Sequence, residues 1–207
     1  MLDVNEKRGL IYYNIHVYRL LMTLLYGDKY RERFQVVLNL LGNEDVNILA
    51  LCFGDTVLAK YCRDNHKNWI GIDSNENFVS SARRQGFDAH QKELTELHAL
   101  PKSDVCIMIG SLYHFWDNIN AIMKLMLNSS KRVIISEPIV NFSNGRGPVG
   151  SIARKLTAMK GSSSGFRYNE NTLLAALDGL KNELNFKYYI TGRDHRNICL
   201  ELKNVRN

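Results

Sequence analysis

The 207-residue chain has no CxxC pair: its four cysteines, Cys52, Cys62, Cys106 and Cys199, are scattered through segments that read as strands and helices. That spacing suggests neither a zinc site nor a disulfide framework, so reduced thiols and no metal are expected. No apolar run approaches the ~20 residues needed to cross a bilayer. Met1 to Arg8 are polar and lack the apolar core of a signal peptide, so a cytoplasmic location is expected. Internal repeats are absent as well, which argues against a repeat architecture. With 45% hydrophobic residues, the chain is long enough to bury one well-packed core and has little room for a second, so one domain is expected.

What the chain does have is a strand–turn–helix–strand pattern. Asn47-Ile48-Leu49-Ala50-Leu51-Cys52-Phe53-Gly54-Asp55-Thr56-Val57 reads as a buried strand, a tight turn at Gly54 and a helix start. About twenty residues on, Trp69-Ile70-Gly71-Ile72-Asp73-Ser74 reads as an apolar strand ending in an acidic residue, as in nucleotide-binding βαβ units. In an open α/β sheet, ligands settle outside the carboxyl ends of the strands, where a glycine turn lets the backbone approach and free helix amides face the ligand. Asp73 is placed to accept hydrogen bonds from the two hydroxyls of a ribose, whereas a carboxylate would oppose a 2′-phosphate. A nucleoside-containing cofactor is expected.

These two segments, with Leu100-Pro101-Lys102-Ser103-Asp104 leading an apolar strand into Gly110-Ser111-Leu112-Tyr113-His114-Phe115, and with Lys131-Arg132-Val133-Ile134-Ile135-Ser136-Glu137-Pro138, resemble in order the core of the class I S-adenosylmethionine-dependent methyltransferases. The first motif departs from the usual pattern: Ala50 stands at the acidic position, Cys52 at the first glycine and Thr56 at the third. A dehydrogenase needs a fuller glycine turn for its pyrophosphate, so the poorer loop favours a methyl donor without phosphate.

The resemblance implies an α/β, Rossmann-like seven-stranded sheet, mostly parallel with an antiparallel C-terminal hairpin and helices on both faces. It implies S-adenosylmethionine as cofactor and S-adenosylhomocysteine as product. The cofactor would lie against Cys52, Phe53, Gly54, Asp55, Asp73, Ser74, Glu93, Leu94, Gly110, Ser111 and Leu112. Asp55 stands either to meet the ammonium of the cofactor's methionine part or to cap the helix that starts at Val57. His114 and Tyr113 are the catalytic candidates. His114 would take a proton from the acceptor, or position it, or cap the following helix with Asp117. The competing reading is a binding or regulatory protein that keeps the fold without catalysis.

Residues 1–43 read as an N-terminal helical lid, with apolar positions at Ile15, Leu20, Leu21, Leu24, Leu25, Phe34, Val37, Leu38 and Leu41 and a break near Gly27-Asp28. Tyr12, Tyr13 and Tyr18 either line a substrate pocket or anchor the helix. Residues 44–140 form the cofactor-binding core, 141–168 a variable substrate loop with a basic helix candidate at Ser151 to Lys160, and 169–207 a C-terminal helix and hairpin. The hairpin strands are expected over Phe186 to Thr191 and Asn197 to Leu202.

The formal charge of +6 leaves two readings open. Either the basic residues are solvated, as expected for Lys29-Tyr30-Arg31-Glu32-Arg33, or a patch meets an anionic substrate, a lipid surface or nucleic acid, of which nucleic acid is the least favoured. Arg146, Arg154, Lys155, Lys160 and Arg167 would favour an anionic partner. A small-molecule, sugar or lipid-linked acceptor is expected.

Overall fold

A computed structural model describes residues 27–140 and 166–205, together with Leu20 and Met22. Tyr12, Tyr13, Tyr18, the basic helix candidate and the cations of the 141–165 segment lie outside the described residues. Among the described residues, seven strands follow one another: β1 Asn47–Leu51, β2 Asn68–Asp73, β3 Asp88–Gln91, β4 Ser103–Ile109, β5 Ser130–Pro138, β6 Phe186–Arg193 and β7 Asn197–Asn204. The described α-helices are α1 Glu32–Leu38, α2 Val57–Asp64, α3 Glu76–Arg84, α4 Ile119–Ser129 and α5 Glu170–Leu180. The strands form one sheet in the order β3-β2-β1-β4-β5-β7-β6. The first five strands pair in parallel, and β7 runs antiparallel between β5 and β6.

Strand period two sorts the apolar residues onto two faces. Leu49, Leu51, Cys106, Met108, Val133, Ile135 and Leu200 pack on one face with Ile122, Met123 and Met126 of α4 and Leu173 and Leu177 of α5. Ile48, Ala50, Val105, Ile107, Ile134 and Cys199 pack on the other with Val37 of α1, Leu58, Ala59 and Cys62 of α2, and Val79 and Ala82 of α3. Continuous apolar runs in the inner strands are therefore what a sheet covered on both faces requires.

Local chemistry sets several boundaries. Asn75 caps α3, accepting from Asn77 N–H at 2.9 Å. Asn169 caps α5 in a reciprocal box with Thr172. The final hairpin is longer than the sequence predicted: Gly192 and Arg193 belong to β6, leaving 194–196 as the turn. Asp194 makes that tighter turn possible, because its Oδ1 accepts from the N–H groups of Arg196 and Asn197, each at 2.8 Å.

Gly71 is required for a close approach. A Cβ there would fall 2.6 Å from Trp69 Cζ2 and 2.8 Å from Phe53 Cδ1, the two rings that meet edge-on at 5.2 Å. Gly71→Ala is expected to cost about 2 kcal/mol in urea denaturation. Gly179, inside α5 with open space around it, is the control. Gly179→Ala should stabilise by about 0.5–1 kcal/mol through helix propensity. Equal effects at the two positions would refute the packing argument.

Candidate functional site

Strand register brings the predicted site segments to one edge of the sheet. Leu51 lies opposite both Ile72 and Met108, and Ile109 opposite Ser136. The segments after β1, β2, β4 and β5 therefore leave the sheet from the same end. The chain runs outward from β1 to β3 and then crosses back to β4, which makes the β1/β4 boundary the topological switch point where such sheets bind ligands.

At this edge Asp73 and the Gly54 turn are joined. Gly54, with φ +56°, donates its N–H to Asp73 Oδ2 at 3.1 Å, and Asn75 N–H donates to Oδ1 at 2.8 Å. Cys52 has φ +50° although it is not glycine, a conformation that costs about 1 kcal/mol. Its N–H bonds to Ile72 O at 2.7 Å, which helps hold the backbone in place. Burial first, then the Asp73 and Glu93 carboxylates, push the Cys52 thiol above its usual range, which favours its neutral form. Phe53 turns its ring onto Trp69 and belongs with the core. Ser74 is half-buried, Glu93 is exposed at the head of the 3-10 turn Leu94–Glu96, and Leu94 is buried beneath it.

Asp55 is buried one residue before Thr56, the N-cap residue of α2. Its Oδ1 accepts from Thr56 N–H at 2.6 Å and its Oδ2 from the Tyr30 hydroxyl at 3.1 Å. This links the site to the segment ahead of α1. Lys29, Arg31 and Glu32 are exposed there, but Arg33 is only 6% exposed, which corrects the reading of the whole cluster as solvated. Arg33 Nη2 lies 3.4 Å from Ile109 O, and a Cβ on Gly110 would meet the same nitrogen at 2.8 Å. Sequence reasoning missed Arg33; the available signal was a cation four residues before Val37, on the apolar stripe of α1.

After β4, Gly110 (φ +65°) and Ser111 lead into the 3-10 turn Leu112–Phe115. Gly110 N–H bonds to Ser136 O at 2.6 Å. Arg167 lies 3.8 Å from the Tyr113 ring centroid, and the Tyr113 and His114 rings are 3.9 Å apart. His114 Nδ1 is buried without a hydrogen-bond partner among the described residues. Burial and the Arg167 charge push the imidazole down to about 3, so it is neutral near pH 7 and a weak proton acceptor. The helix that follows begins after Asn118 with no side-chain cap bond, which removes the reading in which His114 and Asp117 cap it. Trp116 stacks on Phe166 at 5.1 Å, and Phe166 meets Tyr168 edge-on at 4.9 Å.

Glu137 was also missed, although its signal resembles that of Asp73: an acid ending an apolar strand. It is fully buried, and its oxygens accept from the N–H groups of Leu112 at 3.0 Å and Tyr113 at 3.1 Å. Burial pushes the carboxyl from 4.5 up to about 8, against the pull of those amides and of Arg167 and Arg33. The folded state therefore favours the protonated form. The stabilisation this group contributes is complete below about pH 4.5 and lost as pH rises through 8. Glu137→Gln, which cannot ionise, should lose less stability than the wild type over that interval in urea denaturation, and parallel curves would refute the assignment.

Among the described residues no group of three His, Cys, Asp or Glu could hold a metal, and no helix is long and apolar enough to cross a membrane. No protein-family model and no curated protein matches the sequence. In structure the chain is similar to magnesium protoporphyrin IX methyltransferase from Synechocystis PCC 6803 with bound S-adenosylmethionine: TM-score 0.55, 14% identity, covering 97% of this chain and 86% of that one. It is also similar to human N-acetylserotonin methyltransferase in complex with S-adenosylmethionine, with TM-score 0.62, 13% identity and coverage of 98% and 60%. DhpI in its S-adenosylhomocysteine complex gives TM-score 0.63 and 13% identity, covering 97% of this chain and 100% of that one. At such low identity the likeness is one of fold.

Proposed function

We propose that this chain, whose fold is that of the class I S-adenosylmethionine-dependent methyltransferases, transfers a methyl group from S-adenosylmethionine to a small-molecule, sugar or lipid-linked acceptor. The observation that carries this reading is the bond between Gly54 N–H and the Asp73 carboxylate at the switch point, which gives a ribose diol an acceptor beside an approachable backbone. Glu93 and Leu94 suit the adenine, with a carboxylate for its exocyclic amine and an apolar wall for its face. Asp55 and Arg33 offer opposite charges to the ammonium and carboxylate of the methionine part. Ser74 and the Gly110–Leu112 backbone complete the cofactor side.

S-adenosylmethionine supplies a methyl group on a sulfonium, already activated by its leaving group. What the chain must add is placement of the nucleophile, which is worth several orders of magnitude in rate. Tyr113 and His114 stand on the turn after β4 for that purpose. A neutral imidazole with low proton affinity suits His114 to receive a hydrogen bond from the acceptor and so aim it, rather than to remove its proton completely. Residues 1–43 act as a lid and 141–168 as the acceptor-recognition loop, and the basic residues of the latter favour an anionic acceptor.

The test is calorimetric titration with S-adenosylmethionine and S-adenosylhomocysteine. Micromolar binding of both is expected. No heat with either ligand would overturn the methyl-transfer reading in favour of a binding or regulatory protein that keeps the fold.

A further inference from the structure

The turn that carries Tyr113 and His114 is a single 3-10 stretch, Leu112–Phe115, and its N-cap Ser111 makes no side-chain capping bond to it. What fastens it comes from the neighbouring strand. Glu137, at the end of β5, directs Oε2 to Leu112 N–H and Oε1 to Tyr113 N–H. Two successive amides received by two oxygens of one carboxyl fix both the position and the rotation of the turn, since any swing of the peptide breaks one of the bonds. The Arg33 and Arg167 guanidiniums act on the same carboxyl, one from α1 and one from the segment ahead of α5. Glu137 thus stands where three separate parts of the chain meet beneath the acceptor side.

We propose that Glu137 is a positioning residue: it holds the Leu112–Phe115 turn so that Tyr113 and His114 present their side chains to the acceptor in one orientation. The purpose assigned to the turn rests on the methyl-transfer reading, but the fastening is a property of this chain alone. Glu137→Gln keeps the volume and one acceptor oxygen while setting an NH₂ group against one of the two amides.

The experiment is NMR of histidine-labelled protein without cofactor, with the His114 signal assigned by His114→Asn. In the wild type His114 stays neutral from about pH 5 to 8, because the ring is buried and Arg167 faces it. Glu137 is itself protonated over the range in which His114 titrates, so replacing it with a neutral amide leaves the charge facing the ring unchanged, and electrostatics alone would not move the His114 midpoint. A loosened turn lets water reach the ring and raises its midpoint toward 6.5. Glu137→Gln is therefore expected to move the His114 midpoint up by about one unit or more and to speed exchange of the Leu112 and Tyr113 amides by about tenfold or more. An unmoved or lowered midpoint with unchanged exchange would overturn the proposal, even if the variant were less stable.

Should Glu137→Gln not fold, wild-type exchange decides: slow exchange at both amides supports the fastening, and exchange at the rate of an exposed turn overturns it. If the wild type itself binds no S-adenosylmethionine, the methyl-transfer reading falls, while the His114 and exchange results still judge the fastening.

Discussion

Asp73→Ala is expected to weaken S-adenosylmethionine binding by about 100-fold. Two ribose hydroxyls bonded to one carboxylate are worth about 1.5 kcal/mol each, and about 3 kcal/mol is a factor of roughly 100 in the dissociation constant. The carboxylate also receives the Gly54 and Asn75 N–H groups, so its loss frees the glycine turn as well. Asp73→Asn separates the two roles. It keeps one oxygen for the backbone but places an NH₂ where a ribose hydroxyl or an amide must donate, so its affinity should fall between wild type and alanine. Calorimetry of all three proteins, each with its melting temperature, checks the assignment. Undiminished affinity in a folded Asp73→Ala protein would move the ribose elsewhere.

The largest loss of stability is expected far from the site, at Arg132. This side chain enters β5 from the opposite end of the sheet and bonds Asp45 through two nitrogens, Glu201 at 2.6 Å and Leu40 O at 2.7 Å. Its guanidinium is mostly buried, and both carboxylates around it are nearly covered. One planar cation therefore ties the loop before β1 to β5 and β7. Arg132→Met should cost about 3–5 kcal/mol in urea denaturation, because it leaves two buried acids facing each other and a carbonyl without its donor. Arg132→Lys should recover only part of that loss, since an ammonium cannot fork to partners lying in one plane. A change under about 1 kcal/mol in the methionine variant would mean that water reaches the pair and screens it.

Most of the sheet could be read from the chain because its signals are local. Apolar runs of strand length, a carboxylate at the tip of β2, Pro101 before β4 and alternation through the last hairpin each depend on neighbours a few residues away. The same holds for the cap at Asn169, whose box partner Thr172 lies three residues on. Misjudged boundaries were those set by side-chain bonds within a turn, as where Asp194 shortened the loop between β6 and β7.

The residues missed have another cause. Arg33, Glu137 and Arg132 are ionisable side chains that a single sequence places at the surface by default, because burying such a group is costly unless a partner arrives or it gives up its charge. Their partners lie on other elements: Arg33 meets Ile109 across 76 positions, Glu137 meets Leu112 across 25 and Arg132 meets Leu40 across 92. Cys52 is the intermediate case. Its identity announced a departure from the glycine pattern, yet only the folded turn, with φ +50° and the bond to Ile72, reveals that the left-handed conformation survives the substitution. The sequence by itself determined the succession of strands along the chain, the glycine turn and the acid at the tip of β2, since these follow from backbone periodicity and local sterics. Only the tertiary structure decided which charges are buried and which turn each one holds, because the energy of a buried charge depends on groups that the chain brings together only by folding.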